Sequence, residues 1–257
     1  MKHTLQALFA QKKQRVLNMY FTAGYPKLDS TTEVLLSLQE AGADIIEVGI
    51  PYSDPIADGP VIQASNMQAI ENGISIEKVF EQLESIKKEI KIPIILMGYL
   101  NPVMQYGFEA FCSRAASVGV AALILPDIPL DIFEKDYKAI LKKYSLDLIW
   151  LITPQTSEAR IKKIDKLSKG FVYAVSSSSV TGTGNANVGQ NDYFKRLQSM
   201  KLKSPILIGF GIKDKTSFDN ASKYGHGAII GSAYINAIKD SEHIKDDTAN
   251  FVQSILN

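Results

Sequence analysis

Ile92-Pro93-Ile94-Ile95-Leu96-Met97-Gly98-Tyr99 decides how the chain folds. Its core is apolar without alternation, which a half-exposed hairpin strand would not tolerate. A parallel strand covered on both faces requires it. Reading outward, comparable short β-rich runs recur at Val16 to Thr22, Ile45 to Ile50, Ala121 to Pro126, Leu146 to Ile152, Phe171 to Ser176, Ile206 to Phe210 and Ala228 to Ile230. Helical patterns fill the gaps, at Thr31 to Ala41, Ile76 to Ile90, Gly107 to Val118, Phe133 to Tyr144, Glu158 to Leu167, Asp192 to Met200, Lys215 to Tyr224 and Asp246 to Leu256. With strands and helices alternating at nearly even spacing and no polar linker or composition shift, residues 1–257 read as one domain. The predicted fold is a single α/β (β/α)₈ TIM barrel, with an open doubly wound sheet as the structural alternative. An extra N-terminal helix, Thr4 to Lys13, is placed to plug one end.

Charge narrows the function. The 257 residues carry 28 basic and 27 acidic side chains and no long run of one sign, which argues against a nucleic-acid or anionic-membrane footprint. Cys112 is the only cysteine, so no intramolecular disulfide can form, and its place in an amphipathic helix marks it as core packing. Met1 to Gln14 lacks a long apolar segment before a small-residue cleavage site, and no stretch approaches the length of a membrane span. The expectation is a soluble cytoplasmic protein.

A barrel of this kind carries its chemistry at the carboxyl ends of its strands. Those exits offer Thr22, Glu47, Tyr99, Asp127, Thr153, Tyr173, Ser176, Phe210, Gly211, Gly231 and Ser232, with Asp54 and Asp58 in the loop after the second strand. No exit presents a lysine in a buried context, and Lys27 and Lys213 fall in loops, which disfavours a Schiff base. His3, His226 and His243 form no set with metal-ligand spacing, so no metal is expected, and His226 is placed at the surface. Carboxylate acid–base chemistry remains. Glu47 is the anomaly, an ionisable group in an apolar strand, and an unpaired buried carboxylate either costs several kcal/mol or keeps its proton. It is either paired with a basic group as a structural bridge or employed.

Glycines give a second signal, in Val180-Thr181-Gly182-Thr183-Gly184, Gly209-Phe210-Gly211 and Gly231-Ser232. Each could be ordinary turn geometry, and Asp54, Asp58 and Asp127 could be turn or capping residues. Together, three glycine loops after consecutive strands suit a phosphorylated small molecule bound on main-chain N–H groups, with a helix starting after Gly231-Ser232.

Tyr52-Ser53-Asp54-Pro55-Ile56-Ala57-Asp58-Gly59-Pro60, Thr22-Ala23-Gly24-Tyr25-Pro26, Tyr99-Leu100-Asn101-Pro102-Val103, Pro126-Asp127-Ile128-Pro129, Val180-Thr181-Gly182 and Gly209-Phe210-Gly211-Ile212 closely resemble the tryptophan synthase α chain family, in its order and over essentially the whole chain. The resemblance implies retro-aldol cleavage of indole-3-glycerol phosphate to indole and glyceraldehyde 3-phosphate, with no cofactor on this chain. It implies Glu47 as general acid and base and Asp58 as the ionised group facing the indole N–H. Substrate contacts would come from Tyr20, Tyr99, Leu125, Asp127, Ile152, Tyr173, Thr181, Gly182, Phe210, Gly211, Gly231 and Ser232. Glu47, in its apolar strand, is expected to hold a proton, while Asp58, in a polar loop, stays ionised.

The resemblance further implies a β chain carrying pyridoxal phosphate, an α2β2 assembly, and a contact surface around Asp54-Pro55 and Asn101-Pro102. Ser177 and Ser179 stand where many members have arginine and glycine, which removes a charged contact and restricts positive φ in a closing loop. Competing readings are a stand-alone indole-3-glycerol-phosphate lyase, a ligand-binding subunit that only activates a partner, and another phosphate-binding barrel such as a sugar-phosphate isomerase.

Overall fold

The structure is a computed structural model that describes residues 4–176, 186–209 and 211–257, without the side chains of residues 186–191. Its strands are β1 (Val16–Thr22), β2 (Ile45–Gly49), β3 (Ile94–Met97), β4 (Ala122–Ile124), β5 (Asp147–Leu148), β6 (Trp150–Ile152), β7 (Val172–Val175), β8 (Ile206–Gly209) and β9 (Gly227–Ile230). All pairings are parallel, in the order β5-β4-β3-β2-β1-β9-β8-β7-β6. The two ends of that order are consecutive in the chain. Only Ile149 separates β5 from β6, and its N–H donates to the Leu123 carbonyl at 2.9 Å. The fifth predicted strand is therefore one segment that pairs first with β4 and then with β7, curling the sheet into a barrel and excluding the open alternative.

Two apolar layers follow from strand alternation. Val16, Ile45, Ile95, Ile124, Ile149, Phe171, Leu207 and Ile229 fill the lumen. Their chain neighbours, among them Leu17, Ile46, Ile94 and Leu123, pack outward with the helices. Helix α1 (Leu5–Gln11) is capped by the Thr4 hydroxyl, which accepts from the Ala7 N–H, and it sends Leu5 and Phe9 into the lumen cluster. Phe9 meets Phe171 at 6.1 Å, so α1 closes the amino-terminal end of the barrel, as the sequence predicts.

Around the sheet lie α2 (Ser30–Ala41), α3 (Pro60–Glu71), α4 (Ile76–Ile86), α5 (Leu100–Tyr106), α6 (Phe108–Ser117), α7 (Leu130–Ile132), a π-turn (Phe133–Tyr137), α8 (Lys138–Lys143), α9 (Glu158–Leu167), α10 (Ala186–Ser199), α11 (Lys215–Tyr224), α12 (Ser232–Ala237) and α13 (Ile244–Leu256). Two of these carry little helical periodicity in sequence. Helix α3 opens on Gly59 with Pro60 at its first position, where a missing N–H costs nothing. Helix α5 is short and holds Pro102 in its first turn.

His226 is half-buried rather than at the surface. Its Nδ1 accepts the Ile206 N–H at 3.1 Å and its ring packs edge-on to Phe9. Burial holds its pKa below the usual value, so it serves as a neutral brace between β8 and β9. Cys112 is buried in α6 and its thiol is pushed up to about 12 by burial, consistent with packing alone. Among the described residues, no helix is long and apolar enough to cross a membrane, and no group of three or more His, Cys, Asp or Glu side chains could hold a metal ion.

Candidate active site

The barrel mouth holds a cavity of about 490 Å³ at the carboxyl ends of the strands. Glu47, Asp58, Tyr20 and Tyr173 line it together with Gly211, Lys213, Gly231, Ser232 and Asn236. Met97, Ile229, Ile62 and Phe251 supply apolar surface. Both proposed catalytic carboxylates thus share one chamber with the glycine-bearing exits of β8 and β9.

Register places Glu47. It sits on β2 opposite Tyr20 of β1 and Ile95 of β3, pointing into the lumen with no exposed surface. Its Oε1 accepts a hydrogen bond from Asn18 Nδ2 on β1, and its Oε2 has no protein partner. Among the described residues no basic group pairs with it, so no structural salt bridge accounts for its burial there. Burial pushes its pKa up to about 8, against the smaller opposing effect of the Asn18 donor.

Asp58 arrives from the loop after β2. The loop is folded by Ile56 N–H to Asp54 carbonyl and Asp58 N–H to Pro55 carbonyl hydrogen bonds of 2.9 and 3.0 Å. Tyr99, at the exit of β3, donates its hydroxyl to Asp58 Oδ2 at 3.2 Å and accepts the Ala57 N–H at 2.9 Å. Burial lifts Asp58 to about 6, with the Tyr99 hydroxyl working against it. The sequence reading put Asp58 in a polar loop; it is partly enclosed instead, because Tyr99 folds over it. Burial raises both carboxyls, and Glu47, which is fully buried, more than Asp58.

Tyr20 and Tyr173 lie in the lumen across glycines of the next strand. An added Cβ at Gly49 would fall 2.3 Å from the Tyr20 hydroxyl oxygen, and one at Gly209 would fall 2.3 Å from a Tyr173 ring carbon. Those glycines leave the rings room to lie along the wall. Burial raises the pKa of both phenols far above the usual value, so both stay neutral.

Other predicted positions fall differently. Leu125 and Ile152 do not line the cavity. Both pack outward among the helices, while Ile124 joins the lumen cluster and Leu151 packs against it. The period of two places the pocket side one residue earlier in each strand. Asp127 is exposed and outside the cavity, and its two carboxylate oxygens accept the Leu100 N–H at 3.0 Å each, which fixes the start of α5 just after Tyr99. Thr181, Gly182 and Phe210, with Ser177 and Ser179, lie outside the described residues.

Lys213 runs the other way. Read in sequence as a loop lysine, it lines the cavity beside Gly211 and is the sole cation among the described lining residues. Asp54 and Asn101 are exposed and Ile56 is 87% exposed, but Pro55 is buried and Pro102 partly so. Asn101 Nδ2 donates to the Tyr52 hydroxyl at 3.2 Å, and the Tyr52 ring packs 5.3 Å from that of Tyr99. The outer surface and the Asp58 clamp are therefore mechanically joined.

These features define a parallel α/β barrel whose mouth cavity brings two carboxylates together with apolar surface and one lysine. Comparison with known proteins agrees. The tryptophan synthase alpha chain family matches residues 6–256. The chain is 50% identical over 233 residues to the tryptophan synthase alpha chain of Flavobacterium johnsoniae, covering 90% of this chain and 92% of that one. It is 46% identical over 246 residues to that of Christiangramia forsetii, covering 95% of each. Among solved structures, the subunit alpha of Legionella pneumophila superposes with TM-score 0.87 at 31% identity, covering 98% of this chain and 94% of that one. A tryptophan synthase of M. tuberculosis in an aminoacrylate-bound form superposes with TM-score 0.86 at 27% identity, covering 98% of each chain. The chain belongs to the tryptophan synthase alpha chain family, and its activity is that of an indole-3-glycerol-phosphate lyase. An alpha chain carries no cofactor; pyridoxal phosphate belongs to the beta chain.

Proposed function

We propose that Glu47 and Asp58 divide the retro-aldol cleavage of indole-3-glycerol phosphate between them, within residues 1–257 acting as one barrel domain. The observation that carries this is their enclosure in one cavity with pKa values of about 8 and about 6. At neutral pH Glu47 holds a proton and Asp58 does not. Cleaving the bond between the indole ring and the glycerol carbon needs a proton on the ring carbon and loss of one from the side-chain hydroxyl. Glu47 delivers the first and, once ionised, accepts the second.

Protonating the ring sends positive charge toward the indole nitrogen. Asp58, held in place by the Tyr99 hydroxyl, faces that N–H as a fixed negative charge, which in a cavity shielded from water is worth far more than in solvent. Met97, Ile229 and the rings of Tyr20 and Tyr173 supply the apolar wall the indole requires. The phosphate rests at the other side. Gly211, at φ +75°, Gly231 and the first turn of α12 offer main-chain N–H groups, Ser232 a hydroxyl and Lys213 a positive charge. Thr181, Gly182 and Phe210, implied by the family resemblance as further contacts, lie outside the described residues.

The product indole passes to a β chain carrying pyridoxal phosphate in an α2β2 assembly. The docking edge is formed by Asp54 and Asn101 with exposed Ile56, while Pro55 and Pro102 shape the two loops that carry them. The presence of both carboxylates speaks against a subunit that binds ligand without turning it over.

Indole release from indole-3-glycerol phosphate, with and without β chain, tests the assignment in wild type and Glu47→Gln. Glu47→Gln should lose at least about 10²-fold in kcat. Unchanged turnover would sink the role of Glu47, and full turnover without β chain would favour a stand-alone lyase.

A further inference from the structure

Asn18 is a fully buried amide on β1, flanked on its strand face by Val16 and Tyr20 and paired in register with Ile45. A buried amide without its hydrogen bonds costs free energy, and an apolar residue of the same volume would serve packing better. Asn18 makes one side-chain bond, from Nδ2 to Glu47 Oε1, at 2.5 Å. Two oxygens beside that bond, Asn18 Oδ1 and Glu47 Oε2, are buried without a partner.

This arrangement distinguishes the two carboxyl oxygens of Glu47. In the neutral acid, the oxygen that accepts an N–H is the carbonyl oxygen, so the proton sits on the other one. In the carboxylate, the same N–H becomes a charge-assisted donor without having to move. We infer that Asn18 is a positioning residue for Glu47: its amide anchors Oε1 in both protonation states and assigns the exchangeable proton to Oε2, the oxygen left for the substrate.

Other groups that face Glu47 do not compete for this role. Tyr20 on β1 and Tyr173 on β7 are neutral phenols, β3 presents Ile95 and Met97, and Asp58 in the loop after β2 is held by Tyr99. Lys213, the cation lining the cavity, makes no ion pair with Glu47. The inference rests on Glu47 as the acid–base group, and its test separates the two.

The experiment is the pH dependence of kcat and KM for indole-3-glycerol phosphate, from about pH 5 to about pH 10, in wild type, Asn18→Leu, Asn18→Thr and Glu47→Gln full-length chains. Losing the donor disfavours the carboxylate, so in Asn18→Leu the fall of kcat/KM on the basic side should move up by about one pH unit. The kcat should drop about tenfold with KM changed less than about threefold, since the amide touches no substrate. Asn18→Thr restores a hydroxyl donor and should bring the basic limb part of the way back. If Asn18→Leu does not fold, an intermediate upward shift in Asn18→Thr supports the inference by itself. A basic limb at the wild-type pH in every folded Asn18 variant, with kcat lowered equally at all pH, overturns it and leaves Asn18 a packing residue. Full turnover in Glu47→Gln overturns the reading of Glu47 and the inference with it.

Discussion

Replacing Glu47 by glutamine should stabilise the protein, and more so the higher the pH. In the folded chain Glu47 has a pKa of about 8, against an ordinary value of 4.5. The native state therefore binds a proton that the unfolded chain releases, and stability falls as pH rises between those two values. The stabilising contribution of the proton is fully present below 4.5 and gone above about 8. At about 1.36 kcal/mol per pH unit, the loss is about 1 kcal/mol by pH 5, about 3 by pH 7 and close to about 5 above pH 9. Asp58 adds a similar, smaller loss in the acid range, but it is present in wild type and Glu47→Gln alike and cancels in their difference. A cost of seating an amide NH₂ where Oε2 has no partner falls on Glu47→Gln alone, but it shifts the difference equally at every pH and leaves its slope unchanged. Urea unfolding of the two proteins at matched pH, with m-values compared, isolates the slope. The difference in unfolding free energy should grow in favour of Glu47→Gln by about 4 kcal/mol from pH 5 to pH 9. A difference that stays flat with pH would show that Glu47 is not a buried acid in the native state, and the assignment of its proton would fall with it.

Tyr99→Phe removes the hydroxyl shared by Asp58 and the Ala57 N–H, so the acid limb of kcat/KM, near pH 6 in wild type, should rise by up to about one pH unit in a pH–rate profile. Gly49→Ala places a methyl 2.3 Å from the Tyr20 hydroxyl oxygen and should cost about 1–3 kcal/mol in thermal or urea unfolding. Adding Tyr20→Leu to Gly49→Ala should recover part of that cost, which a strain located elsewhere would not allow. Lys213→Gln should raise KM several-fold, by about 3- to 10-fold, with kcat little changed and the effect fading at high ionic strength, as steady-state kinetics at two salt concentrations would show.

Strand patterning made the barrel legible, because eight apolar runs spaced by amphipathic ones leave few alternatives to closure. Glu47 was legible for the same reason, as the carboxylate that breaks an apolar run. At Leu125 and Ile152 the family motif and strand alternation point to different residues: alternation picks the lumen side of each strand, and the neighbours Ile124 and Leu151 belong to or pack on the lumen cluster. Lys213 was hidden because the direction of a loop side chain depends on the turn before it, here Gly211 in the left-handed region. Asn18 gave no signal, since an asparagine in a strand is unremarkable until the register of β1 against β2 brings it within reach of Glu47. The half-burial of Asp58 depends on Tyr99, supplied by a different strand, and no local pattern could show it.

Both carboxylates are pushed in the same direction by the same cause, and the chemistry depends on the difference between them. Glu47 is enclosed on all sides by the barrel, whereas Asp58 stands at the rim. A bound indole ring would exclude more water and raise both pKa values further. For Glu47 that keeps the acid protonated. For Asp58 it is harmful, because a neutral Asp58 could not oppose the charge developing on the ring. The rim carboxylate therefore needs a donor that stays in place when the cavity fills. Tyr99 meets that need: its position is set by the start of α5, which Asp127 fixes from outside the cavity, and its ring packs against Tyr52 at the exposed edge proposed for the β chain. A partner that shifted Tyr52 or Asn101 would act on the hydrogen bond that keeps Asp58 ionised, without touching the cavity. The ionisation state of Asp58, more than the position of Glu47, is where docking at that edge would be felt.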